Sequence, residues 1–250
     1  MTITSSQHEH SAEAVSPSPE GLFERCHWLY ALFREYAFRD HTREITSALF
    51  PSGDPADGTH ILELGCGPGV YACRFARDFP QVTTIGIDSS IRLIRRARTR
   101  AASLHLQNCT FLEGDAQALG ELASAVDAVI VSRLFLIVPD KEAVLAEIYR
   151  VLRPGGRCFI AEPTSRFVSR LPLSAMWLLA RMTATPWKRF REPHQVEVMR
   201  PHDFFTLVHR PPWALVDLLE DDGYQYAVCH KSKVQAHKED WNPASMAVAS

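Results

Sequence analysis

Apolar positions first recur along the chain at spacings of three and four, then gather into short unbroken runs. Phe23, Leu29, Leu32, Phe33, Tyr36, Ala37, Ile45 and Leu49 follow the first pattern, which predicts helix over residues 22–50. Pro51-Ser52-Gly53-Asp54-Pro55 ends it, because proline and glycine interrupt helices and favour turns. Beyond this break, residues 60–66, 82–88, 109–115, 126–132 and 157–162 read as strands. Residues 70–79, 91–102 and 141–152 read as helices, the last stopped by Arg153-Pro154-Gly155-Gly156. Strand and helix alternating about five times predict a parallel sheet covered on both faces. Residues 213–222 read as one more helix, closed by Gly223, a residue suited to a helix C-terminus. Residues 224–231 and 244–250 read as the closing strands.

Residues 163–201 break the alternation. They carry Phe167, Leu171, Leu173, Met176, Trp177, Leu178, Leu179, Met182 and Trp187 together with seven arginines and lysines, against only Glu192 and Glu197. Residues 1–20 are rich in Ser, His, Glu and Pro and read as a disordered tail without the basic start and apolar run of a signal peptide. No apolar run reaches the ~18 residues of a membrane span, so a cytoplasmic protein is expected. The 250 residues are 46% hydrophobic, enough for one full core. A single domain over 21–250 follows, with a helical cap at 21–58 and an insert at 163–211.

Charge narrows the partners. A net charge of −2 supplies no global positive field to collect nucleic acid. The six cysteines form no C-x-x-C pair and no Cys/His cluster with zinc spacing, so no metal is expected and the thiols read as reduced.

The chemistry concentrates in Ile61-Leu62-Glu63-Leu64-Gly65-Cys66-Gly67-Pro68-Gly69-Val70-Tyr71, a strand running through a glycine turn into a helix. Glycines let the backbone approach a ligand, and the helix start offers unpaired N–H groups to an acceptor atom. The next strand ends in Ile85-Gly86-Ile87-Asp88, about twenty residues on, where a carboxylate can take two vicinal ribose hydroxyls. Two details argue against a dinucleotide. The G-x-G-x-x-G pattern needs a small residue at position 70, which holds Val70, and Glu63 would repel a pyrophosphate but favour an ammonium group.

Glu63-x-Gly65-x-Gly67-x-Gly69 resembles the first motif of class I S-adenosylmethionine-dependent methyltransferases. The likeness continues through Asp88, Phe111-Leu112-Glu113-Gly114-Asp115-Ala116, Asp127-Ala128-Val129-Ile130-Val131-Ser132, the Glu147–Gly156 stretch and Leu219-x-x-Asp222-Gly223-Tyr224. It implies a Rossmann-like α/β fold: a seven-stranded, mostly parallel sheet with helices on both faces and a final antiparallel strand. It also implies a cofactor, S-adenosyl-L-methionine, lying across the C-terminal strand ends and leaving as S-adenosyl-L-homocysteine. Glu63, Gly65, Cys66, Gly67 and Gly69 would hold its methionine end, Asp88 and Ser89 its ribose, Asp115 and Ala116 its adenine, and Ser132 would lie beneath the sulfonium. The expected reaction is in-line methyl transfer to a small or medium hydrophobic or amphipathic molecule.

The acceptor side is less defined. Relatives of the quinone-biosynthesis type often carry a His pair before the Pro-Asp that follows the fourth strand. Here Leu136 and Ile137 stand there, which predicts an apolar wall and no acid–base role. Tyr30, Tyr36, Glu162, Trp177 and His194 are the candidate pocket residues, and no general base is assigned. The 163–201 insert matches the family's substrate cap, and its mixed composition also suits contact with a membrane surface. The rival readings are a nicotinamide-dependent reductase and a methyltransferase-fold subunit that has lost catalysis.

Overall fold

The computed structural model describes residues 40–120, 126–164, 198–221 and 223–233. The expected tail at 1–20, most of the N-terminal helical cap, the centre of the insert and the strand at 244–250 lie outside these residues.

The elements run α1 (Thr42–Leu49), β1 (His60–Leu64), α2 (Val70–Asp78), β2 (Thr83–Asp88), α3 (Ile91–Ser103), β3 (Cys109–Glu113), β4 (Val126–Ser132), α4 (Lys141–Val151), β5 (Leu152–Pro163), α5 (Pro201–Val208), β6 (Leu215–Asp221) and β7 (Tyr224–His230). The strands form one seven-stranded sheet in the order β3-β2-β1-β4-β5-β7-β6. The first five run parallel, and β7 lies antiparallel between β5 and β6. This is the Rossmann-like α/β architecture that the resemblance implies. Strand order reverses between β1 and β4, where such sheets open a crevice at their C-terminal ends.

Alternation along the central strands explains the two layers. Leu62 and Leu64 of β1 and Val129 and Val131 of β4 pack with Leu145 and Ile148 of α4 and Phe204 of α5. Ile61 of β1 and Ala128 and Ile130 of β4 pack on the opposite face with Ile45 of α1 and Tyr71 and Phe75 of α2. Such strands, buried on both sides, appear in the sequence as continuous apolar runs.

Local signals set the helix ends. Ser90 and Asp140 cap α3 and α4, their side-chain oxygens accepting from Leu93 N–H at 3.3 Å and Ala143 N–H at 2.9 Å. Pro201 opens α5, where its missing N–H costs nothing. Lys231 donates to the Tyr149 and Leu152 carbonyls at 2.6 and 2.7 Å, satisfying the end of α4. Arg153-Pro154-Gly155-Gly156 lies inside β5 as an irregularity, the register on β4 jumping from Val126↔Leu152 to Ala128↔Arg157.

One expectation is overturned. Residues 213–222 do not form a helix, since Leu215–Asp221 is strand β6, paired antiparallel with β7. Leu215, Leu218 and Leu219 stand at helical spacing, but Asp221 pairs with Tyr224 across Asp222-Gly223. Two residues of this type between paired strands make a hairpin turn, and Gly223 has φ +84°. The late resemblance segment is thus a strand-to-strand turn. Among the described residues, no helix is long and apolar enough to cross a membrane, and no group of three or more His, Cys, Asp or Glu has the geometry to hold a metal ion.

Candidate functional site

The glycine turn between β1 and α2 requires its glycines. Gly65, Gly67 and Gly69 have φ of +65°, +53° and +72°, a region that side chains with a Cβ disfavour. A Cβ at Gly65 would meet Leu134 Cδ1 at 2.9 Å, and one at Gly69 would meet the Phe111 ring at 2.5 Å. Phe111 is fixed in turn by Arg98, whose guanidinium donates twice to its carbonyl, at 3.1 and 2.7 Å. Arg100 donates to the Pro68 carbonyl at 3.1 Å. Two arginines of the α3 series therefore brace the turn and its floor.

Glu63 is buried at the end of β1, and its Oε2 accepts the Ala72 N–H of α2 at 2.8 Å. It supplies the cap that Gly69, lacking a side chain, cannot give to the start of α2. Asp88 closes the other side. Its Oδ2 accepts Gly67 N–H at 2.8 Å and its Oδ1 accepts Ser90 N–H at 2.9 Å. A carboxylate at this strand end is an acceptor suited to ribose hydroxyls. Cys66 is buried, and burial, together with the charges of Glu63 and Asp88, pushes its thiol well above the ordinary range, so it is no nucleophile.

Ser89 is exposed beside Asp88, Ala116 is buried, and Asp115 is exposed. Asp115 Oδ1 accepts the Gln117 N–H at 2.9 Å, an Asx-turn that shapes the segment after β3. At the end of β4, Ser132 Oγ is buried and makes no hydrogen bond among the described residues. A buried hydroxyl without a partner calls for a ligand or water, and with the left-handed turn it fits a polar cofactor held across β1, β2 and β4.

Tyr30, Tyr36, Trp177 and His194 lie outside the described residues. Glu162 stands at the end of β5, 2% exposed, with its carboxyl turned into the protein. Its Oε1 accepts Phe135 N–H at 2.9 Å. Burial pushes it up to about 8 against the opposing pull of Phe135 N–H and the Arg133 guanidinium. After β4, Leu134 and Phe135 are buried, Leu136 is half-buried and Ile137 is 51% exposed.

Several residues near this end were not foreseen. Arg133 is buried in the left-handed region at φ +59°, and its Nη1 donates to Tyr224 Oη at 3.2 Å. An arginine inside the apolar run from Val126 to Val138 was the signal available. His41 is buried against Tyr224, ring centroids 4.6 Å apart, with Nδ1 3.4 Å from Tyr226 Oη. Gln225 lies opposite Glu162 on β7 and donates to the Met199 carbonyl at 3.0 Å. Nothing local in the sequence marks either residue. A cavity of about 640 Å³ between the starts of α4 and α5 joins Val198, Met199 and Leu207 to Lys141, Arg200 and Arg210 and to the carboxylates Glu142 and Asp203.

With this geometry in place, comparison with known proteins becomes informative. The family model described as a methyltransferase domain matches residues 55–197. Trans-aconitate 2-methyltransferase of Azoarcus sp. (strain BH72) is 26% identical over 204 residues, covering 76% of this chain and 76% of that protein. The ubiquinone/menaquinone biosynthesis C-methyltransferase UbiE of Desulfotalea psychrophila is 35% identical over 113 residues, covering 45% of this chain. That match spans 44% of UbiE's own length. A match to a 37.1 kDa protein of a Streptomyces fradiae transposon spans only 37% of that protein. Among solved structures, phosphoethanolamine N-methyltransferase 2 of Haemonchus contortus, in complex with S-adenosyl-L-methionine, superposes with a TM-score of 0.61 at 13% identity, covering 82% of this chain and 56% of that one. At that identity the likeness is one of fold.

Proposed function

The chain belongs to the S-adenosylmethionine-dependent methyltransferase family, and from that premise we propose that it methylates a small or medium hydrophobic or amphipathic molecule, with its cofactor seated between the glycine turn and Asp88. The observation that carries the reading is the turn itself. Three left-handed glycines are fastened through Gly67 N–H to the carboxylate that ends β2. Neither rival, the nicotinamide-dependent reductase nor the inactive subunit, draws support from the comparisons.

When bound, S-adenosyl-L-methionine would supply an electrophilic sulfonium methyl for in-line transfer to the acceptor's nucleophilic atom, with S-adenosyl-L-homocysteine as the leaving product. The chain's work is placement. Gly65, Cys66, Gly67 and Gly69 would hold the methionine end through backbone groups, with Glu63 keeping the start of α2 in register and lending negative charge nearby. Asp88 and Ser89 would grip the ribose. Asp115 and Ala116 would border the adenine, and the Ser132 hydroxyl would face the reacting centre. Alignment of this kind lowers a bimolecular barrier by about 7–11 kcal/mol.

The acceptor class rests on three features. The segment Leu134-Phe135-Leu136-Ile137-Val138 after β4 has no histidine and presents Ile137 outward. The insert's composition combines aromatic and cationic residues. The cavity beside α4 sets apolar side chains beside charges of both signs. Tyr30, Tyr36, Trp177 and His194 belong to this side by their place in the sequence. Relatives named for trans-aconitate and quinone methylation fit a small-molecule acceptor.

Asp88→Ala tests the cofactor seat. Calorimetry with S-adenosyl-L-homocysteine should show affinity at least ~10-fold weaker, since one charge-assisted hydrogen bond contributes about 1.5–3 kcal/mol. Affinity equal to that of the natural chain would refute the assignment.

A further inference from the structure

Glu162 is a buried carboxyl at the end of β5, and its contacts lead back to the glycine turn. Beyond Ser132 the chain continues the ladder for one more bond, Arg133 N–H donating to the Ala161 carbonyl at 2.8 Å. Arg133 then adopts φ +59°, a conformation that costs a non-glycine residue on the order of 1 kcal/mol or more and persists only where its surroundings hold it. The Glu162 carboxyl provides that hold. Its Oε1 accepts Phe135 N–H at 2.9 Å. The turn closes on itself through Ile137 N–H and Val138 N–H to the Leu134 carbonyl at 3.1 and 3.2 Å.

Leu134 is the point of transmission. Its neighbour Phe135 is fixed by Glu162 and its own side chain lies against Gly65, with Cβ, Cγ and Cδ1 all within 3.6 Å of where a Gly65 Cβ would stand. Leu134 is 6% exposed, so it has little room to withdraw. Freeing its backbone would let the wedge move away from the first glycine of the turn.

We propose that Glu162 is a positioning residue for the cofactor. By anchoring the backbone at Phe135 it holds the adjoining Leu134 side chain on Gly65 and sets the shape of the glycine turn. This rests on the reading that residues Gly65, Gly67 and Gly69 hold the methionine end. Glu162 acts here as a hydrogen-bond acceptor in place and not as a charge. A glutamine, equal in size and carrying a carbonyl oxygen, should therefore serve nearly as well, whereas alanine should not.

The test is calorimetric affinity for S-adenosyl-L-homocysteine across Glu162→Ala, Glu162→Gln, Leu134→Ala and the double variant Glu162→Ala/Leu134→Ala. The expected result is binding at least ~10-fold weaker in both single alanine variants and within ~3-fold of the natural chain for Glu162→Gln. The double variant should be no more than ~2-fold worse than the weaker single one, because both changes release the same wedge. A Glu162→Ala chain that binds as the natural chain does would overturn the proposal, as would fully additive losses. If Glu162→Ala yields no folded protein, Leu134→Ala decides, and unchanged affinity there overturns it equally. A natural chain that binds none of the ligand would bring down the cofactor seat itself. Loss in Asp88→Ala with none in the Leu134 and Glu162 variants would leave the seat standing and remove only this inference.

Discussion

Glu162 and Glu63 are both buried carboxyls bonded to backbone N–H groups, and burial pushes Glu162 up to about 8 from an ordinary 4.5. Burial penalises its charged form more than Phe135 N–H and Arg133 favour it. Between pH 4.5 and 8 the folded chain therefore holds a proton that the unfolded chain has released, so stability falls as pH rises through that window. The loss is steepest at about 1.4 kcal/mol per pH unit for one proton. Glu162→Gln carries no such proton. Urea unfolding at pH 5.5, 6.5 and 7.5 should show the natural chain losing stability relative to Glu162→Gln at each step, and parallel curves would contradict the protonated state of Glu162. At this scale the sequence was informative where a motif fixed spacing. Glu63, Gly65, Gly67, Gly69 and Asp88 converge on one turn because three glycines and two acids at set distances admit few geometries. The roles of Arg133, His41 and Gln225 depend on partners 91, 185 and 26 residues away, Tyr224, Tyr226 and Met199, and no local pattern announces them.

The elements divide along a similar line. Strands β1 to β5 and helices α2 to α4 fall within a few residues of their predicted spans, because buried parallel strands and amphipathic helices print distinct periods in the sequence. β6 does not. Leu215, Leu218 and Leu219 satisfy the helical period equally well, and Gly223 suits a helix C-terminus as well as a hairpin turn. As an edge strand, β6 leaves Leu219 64% exposed. Leu219→Lys should accordingly change unfolding stability by no more than about 0.5 kcal/mol in urea, as expected for an exposed position. A loss above about 2 kcal/mol would mean that Leu219 is packed as it would be on a buried helix face, and β6 would be wrong.

Across the whole molecule, the reversal of strand order between β1 and β4 brings the glycine turn, Asp88 and Ser132 to one end of the sheet, although they are up to 67 residues apart in sequence. Sequence-order alternation was enough to foresee that end, since parallel sheets covered on both faces place their ligands there. The acceptor is not legible in the same detail, because no motif of fixed spacing marks residues 163–201 or the segment after β4. Composition can indicate that such a surface is apolar and cationic, but not its shape. The central claim, a cofactor seat between the glycine turn and Asp88, is tested most directly by a crystal structure grown with S-adenosyl-L-homocysteine. The account predicts the ligand lying over the C-terminal ends of β1, β2 and β4, its ribose hydroxyls on the Asp88 carboxylate and its amino-acid end along Gly65–Gly69. Ligand bound elsewhere on the chain, with the turn and Asp88 untouched, would contradict it.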